Sequence, residues 1–392
     1  MKKKTKQAGP AAWLRENKWT CAVLAALVLL IVGRLLAAPA RVEAGQPEER
    51  ADYESAVVEQ VLSDSTEKDP AADNGYRGEQ LLLVTVKSGD YQGQQMQVYN
   101  YVGPLYGGPL HAGDRATILI SSYSDGTVNA TVYEFDRLIP LAIVVALFIA
   151  AAVIVGGRTG AKSLVALAVT LMCLFGVLLP ALMKGANTLL MTFIVCAYVA
   201  VVSLTIVGGV QKKSVCAMLG AVAGTALALL FGLLAQALTR VDGLRIEDVE
   251  PLLQLRQTGT PIGLRGLLVG GIIISALGAV MDVTMGIASS LAEVHAANPQ
   301  LSRRELFRSG MNIGRDMVGT MTNTLILAFL GSGFTLILYL YSLGLSFRQL
   351  MSSAYVSMEV VSGVASSVGV ILSIPLTALI TAAVFTREKQ QS

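Results

Sequence analysis

The chain has 392 residues, of which 53% are hydrophobic and only 15% are charged, and its net charge is +3. Because soluble domains carry about a quarter charged residues, this composition and the positive mean hydropathy exclude an ordinary soluble protein. The four cysteines all lie in apolar runs and the two histidines stand apart from them, so we expect no disulfide framework, metal or other cofactor.

Apolar runs long enough to cross a membrane recur along the chain. A helix needs about 20 mostly apolar residues to cross a bilayer. Eight runs meet this length, so the sequence predicts an α-helical multi-pass membrane protein with about eight spans. They are Thr20–Ala38, Leu138–Val155, Ser163–Met183, Thr188–Gly209, Ser214–Leu238, Gly266–Leu291, Val318–Leu343 and Ser352–Phe385.

The two end runs are the irregular ones. Residues 1–19 are basic, and the run that follows, residues 20–38, is interrupted by Arg34 and precedes Ala38-Pro39-Ala40, which resembles a cleavage site. We favour a retained anchor and leave a cleaved signal peptide open. The last run is too long for one straight span, which predicts a broken helix or a short interfacial helix before it.

The polar segment 39–137 is predicted to be an exported domain that is β-rich from about residue 53. Four stretches are rich in β-branched and aromatic residues and are separated by glycine-containing turns. They are Leu81–Val86, Gln95–Tyr101, Ala116–Ser121 and Val128–Phe135. This pattern predicts a small barrel of the OB or SH3-like kind. The sequence presents no basic or aromatic stripe that would support nucleic-acid binding, so we expect a spacer or a module that docks an envelope protein, and no nucleic acid.

Lysine and arginine predict the orientation. With the N-terminus inside, sixteen of them fall on the inner side of the short loops and six on the outer side, four of these between Thr239 and Arg265. The sequence therefore predicts a seven-helix membrane domain over residues 138–385 and a cytoplasmic tail over 386–392. Both termini are expected in the cytoplasm of a bacterial cell, with the protein in its plasma membrane.

Polar side chains inside the last spans are the candidate functional residues, because ionisable groups in a membrane are costly unless they face a cavity or a partner. Asp282 and Glu293 share one helical stripe, and Asn312, Asp316 and Asn323 share another at the same spacing. Glu359 begins a third stripe. For the small residues among them, such as Ser366, Gly319 and Gly363, close helix packing is the competing interpretation. Glu293 and Arg315 are also compatible with a solvated inner rim.

These stretches carry a family resemblance. Leu277-Gly-Ala-Val-Met-Asp282 and Gly314-Arg-Asp-Met-Val-Gly-Thr-Met-Thr-Asn-Thr-Leu-Ile-Leu-Ala328 resemble the YibE/F-like family of bacterial integral membrane proteins. Ser367-Val-Gly-Val-Ile-Leu-Ser-Ile-Pro-Leu-Thr-Ala378 is similar to its C-terminal signature, and the resemblance extends from about Glu54 to the end. The residues that match its motifs are Asp282, Glu293, Asn312, Arg315, Asp316, Thr320, Asn323 and Glu359. The family has no established activity, so the resemblance implies kinship and an exported β-rich segment, not a reaction.

The sequence favours a permease-like protein whose last three spans form a polar path for a small solute or ion, with cation or proton coupling. The path would contain the eight matching residues, and Arg315, if it reaches inward, would pair with Asp282 or Asp316. A scaffold or envelope assembly factor that acts through the exported domain is the alternative. A membrane enzyme comes third, because Gly156–Ser163 breaks the spacing of a phosphate loop and no nucleophile elbow or zinc motif is found.

Overall fold

The computed structural model describes residues 49–70, 75–123, 127–241, 250–257, 259, 261–264 and 266–386. The predicted first span, the basic N-terminus and all but the first residue of the tail lie outside these ranges. The described residues fall into two compact units, one within residues 42–152 and one within residues 153–392.

The first unit is a β-barrel. Its strands are β1 (Glu49–Asp64), β2 (Glu67–Lys68), β3 (Tyr76–Val86), β4 (Gln95–Val102), β5 (Arg115–Tyr123) and β6 (Val128–Phe135). Five of them close in the order β1-β5-β6-β4-β3, because β1 also pairs with β3, while β2 adds to the outside of β3. The β4–β6 pair is parallel and the others are antiparallel. This connectivity is that of an OB-type barrel, which decides between the two predicted kinds.

Strand alternation builds the barrel core. Every second residue of β3 points inward, so Leu82, Val84 and Val86 are fully buried. Ile118 and Ile120 of β5 meet them from across the barrel. Register shifts in the second half of β1 let this long strand leave β5 and pair with β3, and this bend closes the barrel.

The second unit is helical. It contains residues 153–173 of the first helix given below and all of the later helices. The helices are α1 (Leu138–Cys173), α2 (Leu179–Met183), α3 (Thr188–Gly208), α4 (Lys212–Thr239), α5 (Glu250–Gln257), α6 (Leu267–Ala297), α7 (Arg303–Ser332), α8 (Phe334–Ser342), α9 (Phe347–Ser352) and α10 (Ala354–Thr386). A π-helical turn, Leu174–Leu178, joins α1 to α2.

Five helical stretches of the described chain are long and apolar enough to cross a membrane, or six if the bent pair α7–α8 counts as one span. The count is below the predicted eight because the first span lies outside the described residues. In addition, the predicted second and third spans lie in one helical run, Leu138–Met183. Gly157 interrupts that run with a left-handed φ of 54°, which glycine adopts at little cost.

Of the two alternatives for the last apolar run, the broken helix is wrong, and a short helix precedes the span as the other alternative predicts. The last run is a single helix, α10, which continues through Pro375 and follows the short helix α9. The bend instead lies at Gly333, where α7 and α8 meet at 63°.

Glycine, alanine, serine and threonine bring α4, α6 and α10 close together. A Cβ on Gly224 of α4 would lie 2.6 Å from Cβ of Ser373 and 2.9 Å from Cγ1 of Val280. Gly369 of α10 would likewise meet Ala228 at 2.6 Å. Lipid tails are as apolar as the helix surfaces, so the hydrophobic effect does not drive membrane helices together. Close approach of the helices gives them van der Waals packing energy instead. Helix α7 packs against the same α10, and this arrangement positions the candidate residues.

Candidate functional site

Helix α6 lies in the core of the helical unit, yet one stripe along it is open. Asp282 is exposed on this stripe. A Cβ added to Gly271 or Gly278, on the same stripe, would meet no atom within 4 Å. The aspartate is therefore carried by an otherwise buried helix at a place where the described helices leave space beside it.

The neighbours of α6 show which space this is. One turn after Asp282, the side chain of Met285 contacts Gly208 of α3. A Cβ added to Gly286 would lie 3.0 Å from the side chain of Met317 of α7. At about 100° per residue, Asp282 projects between these two directions. It therefore lies on the open stripe of α6 between α3 and α7, and we call the space over this stripe the crevice.

The register of α6 against α7 decides which residues share a level with Asp282. Leu291 packs at Gly310 and Ile287 at Gly314, so the two helices run antiparallel. Extending this register by about one and a half turns places Asp282 level with Thr320. Thr320 is exposed on α7, and its hydroxyl donates to the carbonyl oxygen of Met317 at 3.1 Å.

The predicted stripe of α7 lies on the face opposite its packing contacts. Gly310 and Gly314 are buried against α6 and α10, whereas Asn312, Asp316 and Asn323 are exposed and lie on the opposite side of the helix. Among the predicted residues of α7, Thr320 lies closest in helical angle to Met317, which contacts α6. The structure thus brings Asp282 and Thr320 to one level and leaves the other three on the open face of α7.

Glu359 lies at another level. Its Cγ atom would lie 3.7 Å from a Cβ added to Gly333, which stands at the bend between α7 and α8. The Ser275–Ser366 hydroxyl contact of 3.0 Å sets α6 and α10 in parallel register. Fourteen residues of α10 then separate Glu359 from the level of Asp282, a rise of about 20 Å. One compact site cannot contain both carboxylates.

The two remaining candidates are exposed. Glu293 lies in the last turns of α6, and Arg315 lies near the middle of α7. Within the described residues, no ion pair of 4.0 Å or less joins Arg315 to Asp282 or Asp316. No group of three His, Cys, Asp or Glu side chains in the described ranges comes together as a metal site would require.

The packing interpretation is confirmed for two small residues. Ser366 is fully buried, contacts Ser275 and is 3.4 Å from the carbonyl oxygen of Ile272. Gly363 packs against the ring of Phe329. In contrast, a Cβ added to Gly319 would meet no atom within 4 Å. Close packing therefore does not account for this glycine in the described helices.

Sequence reasoning missed an aromatic surface on the barrel. Tyr99 and Tyr101 are both exposed on the outer face of β4, and their ring centroids are 6.4 Å apart. The signal was available, because two tyrosines two positions apart in a predicted strand must share a face.

One comparison with known proteins identifies the family. A family model described as YibE/F-like protein matches residues 144–387, which is more than half of the chain. The chain belongs to the YibE/F-like family. All eight candidate residues of this YibE/F-like chain lie inside the match, whereas the barrel lies before it. No curated protein and no solved structure matches the sequence.

Proposed function

We propose that this YibE/F-like protein is a permease-like transporter in which the crevice over α6 forms part of a polar path. The observation that carries the proposal is the position of Asp282. It is an exposed carboxylate on the most buried of the apolar helices, level with the hydroxyl of Thr320.

Membrane energetics favour this use of the crevice. A carboxylate facing lipid costs several kcal/mol, so it is stable where water or a polar partner reaches it. Gly271 and Gly278 leave open space along the same stripe. Space beside a charge in a membrane helix is typical of substrate and ion pathways.

Glu359 supplies a second station for the path. It lies about 20 Å from the level of Asp282 and against the bend at Gly333. Broken helices whose ends face a binding site recur in transporters. Two carboxylates at different depths favour a cation or a proton as the passenger or coupling species.

The proposed topology keeps eight spans. The run Leu138–Met183 has 46 residues, about 69 Å of helix, which is twice what a bilayer needs. Division at Gly157 would give two spans, and residues 20–38 would give the first. Both termini then lie in the cytoplasm of a bacterial cell and the barrel lies outside.

Reconstitution tests the proposal. The purified protein in liposomes, with a panel of monovalent and divalent cations inside and a pH-sensitive dye, should show cation or proton flux. Asp282→Asn and Glu359→Gln should each lower the flux at least about tenfold at unchanged protein level. Glu59→Gln, at an exposed position of β1 outside the path, is the control and should keep the flux. Ion and metabolite profiling of a deletion strain would then name the passenger.

Growth or flux that is unchanged in both carboxylate variants would contradict the permease proposal. That result would favour the second candidate, a scaffold or envelope assembly factor that acts through the barrel. The observation in favour of this candidate is the exposed aromatic surface on β4. For such a factor, changes at the barrel surface would remove the phenotype and Asp282→Asn would not.

A further inference from the structure

Five exposed tyrosines lie on the outside of the barrel, and we call them the tyrosine band. Each side chain is between 46% and 63% exposed. The band consists of Tyr53, Tyr99, Tyr101, Tyr106 and Tyr133. Strand alternation accounts for the inward-facing residues of the barrel, so these rings are not needed for its core.

Ring contacts join the tyrosines into two groups. Tyr101 lies 6.4 Å from Tyr99 and 6.4 Å from Tyr106, measured between ring centroids. Tyr53 and Tyr133 meet edge to face at 5.0 Å. Such contacts hold the rings in place before any ligand arrives, which lowers the entropy lost on binding.

Strand register joins the two groups. Tyr99 of β4 pairs with Thr131 of the parallel strand β6, and Tyr101 and Tyr133 follow two residues later on these two neighbouring strands. The band therefore has members on β1, β6 and β4 and in the loop after β4, while β5, which lies between β1 and β6, contributes none. Exposed aromatic clusters on a protein surface commonly mark an interaction site.

The charge of the barrel excludes one class of ligand. Residues 49–137 contain fourteen acidic and six basic side chains, an excess of eight negative charges. Nucleic-acid binding depends on basic side chains that neutralise phosphates. The tyrosine band therefore resembles the base-stacking surfaces of OB barrels in its rings but has the opposite charge.

The nearest carboxylates suit a neutral ligand with hydroxyl groups. Glu134, beside Gly107 in the Tyr106 loop, is paired with Arg137. Glu79 of β3 lies directly across from Tyr101 and is exposed. A carboxylate at that position accepts hydrogen bonds, and the phenol groups both donate and accept them.

We propose that the tyrosine band binds a neutral glycan chain. The flat C–H faces of successive sugar rings would stack on the tyrosines, and sugar hydroxyls would donate to Glu79. OB barrels use their outer strand surface for oligosaccharides as well as oligonucleotides, and the charge of this barrel selects the former. This site does not involve the crevice over α6, so the test of glycan binding does not depend on the transport proposal.

Titration calorimetry on the full chain tests the proposal, with a hexamer of N-acetylglucosamine as the probe. The detergent must carry no sugar headgroup, because a glucoside or maltoside would compete for the rings. We expect saturable binding that Tyr101→Ala and Tyr99→Ala each weaken at least about fivefold. Tyr101→Phe keeps the ring and should bind within about twofold of the wild type. Tyr341→Ala, at an exposed tyrosine of α8, is the matched control and should bind normally.

Four outcomes would overturn the proposal. The folded protein could fail to bind the hexamer, or could bind it equally well after Tyr101→Ala. Alternatively, polylysine or an oligothymidylate could bind through the band while the glycan does not. Quenching of the band's tyrosine fluorescence by a headgroup-attached quencher in liposomes would assign the rings to the membrane surface instead.

Discussion

The barrel and the helical unit fill their cores in opposite ways. The barrel core consists of large side chains such as Leu82 and Ile118. Where α4, α6 and α10 meet, glycines face serine, alanine and valine at distances that leave no room for a Cβ. In water, buried area drives packing, whereas in lipid close approach of backbones replaces it. The barrel should therefore be most sensitive to lost volume and the helices to added volume.

The largest expected effect is loss of volume in the barrel. Leu82→Ala should lower the free energy of unfolding of the barrel by about 2–5 kcal/mol, because the cavity and the lost transfer energy add. Hydrogen exchange of peptides from β3 and β5 in the full chain measures it. Leu105→Ala, at a side chain that is 91% exposed, should change exchange little.

The next effect concerns a buried polar group. Gln80 is 2% exposed, and its Oε1 accepts from Nδ2 of Asn100 and from the backbone N–H of Leu110, both at 2.9 Å. Gln80→Leu should destabilise the barrel by about 2–4 kcal/mol, because both donors lose a buried acceptor. Protection of the Leu110 amide reports it. A variant as protected as the wild type would show that water replaces the glutamine.

Added volume should break the helical core. Gly224→Val should cost about 1–3 kcal/mol or prevent assembly, since Ser373 and Val280 already occupy the space. Gly271→Ala lies on the open stripe of α6 and should be neutral or stabilise the helix by up to about 1 kcal/mol. Thermal aggregation of the two variants in detergent compares them. Equal loss in both would mean that the stripe is filled.

The smallest effect is a pH dependence of the barrel. Hydrogen bonds from Thr66, side chain and backbone, and from Gln80 hold the pKa of Asp64 below its usual 3.8. Because the pKa is lowered in the folded state, this stabilisation is present above about pH 3.8 and is lost as pH falls through the lower value. Asp64→Asn should flatten this part of the acid unfolding curve. An unchanged curve would mean that the hydrogen bonds also form in the unfolded chain.

The sequence predicted the barrel and its strands well because alternation in β3 to β6 is a local pattern. The predictions of membrane spans from Thr188 onward also agree with helices, since apolar length decides them. The bend at Gly333 could not be predicted, because Pro375 and the glycines of α10 gave a stronger local signal of a break. Packing of α10 against three helices keeps it straight enough to remain one helix.

The candidate site was less predictable for a related reason. The spacing of Asn312, Asp316 and Asn323 correctly places them on one face of α7, but spacing does not say which face packs. Gly310 and Gly314 decide this, because they let α7 approach α6 and α10. The polar stripe consequently lies on the open side, and only Thr320 approaches the level of Asp282.

Water access to Asp282 tests the central claim most directly. In a chain whose native cysteines are replaced by serine or alanine, Asp282→Cys and Thr320→Cys should react in liposomes with a small charged thiosulfonate. Leu230→Cys, on an exposed apolar face of α4, and Val280→Cys, at a fully buried position, should not react. An Asp282→Cys chain as unreactive as the Leu230→Cys chain would show that no water reaches the crevice and would contradict the polar path.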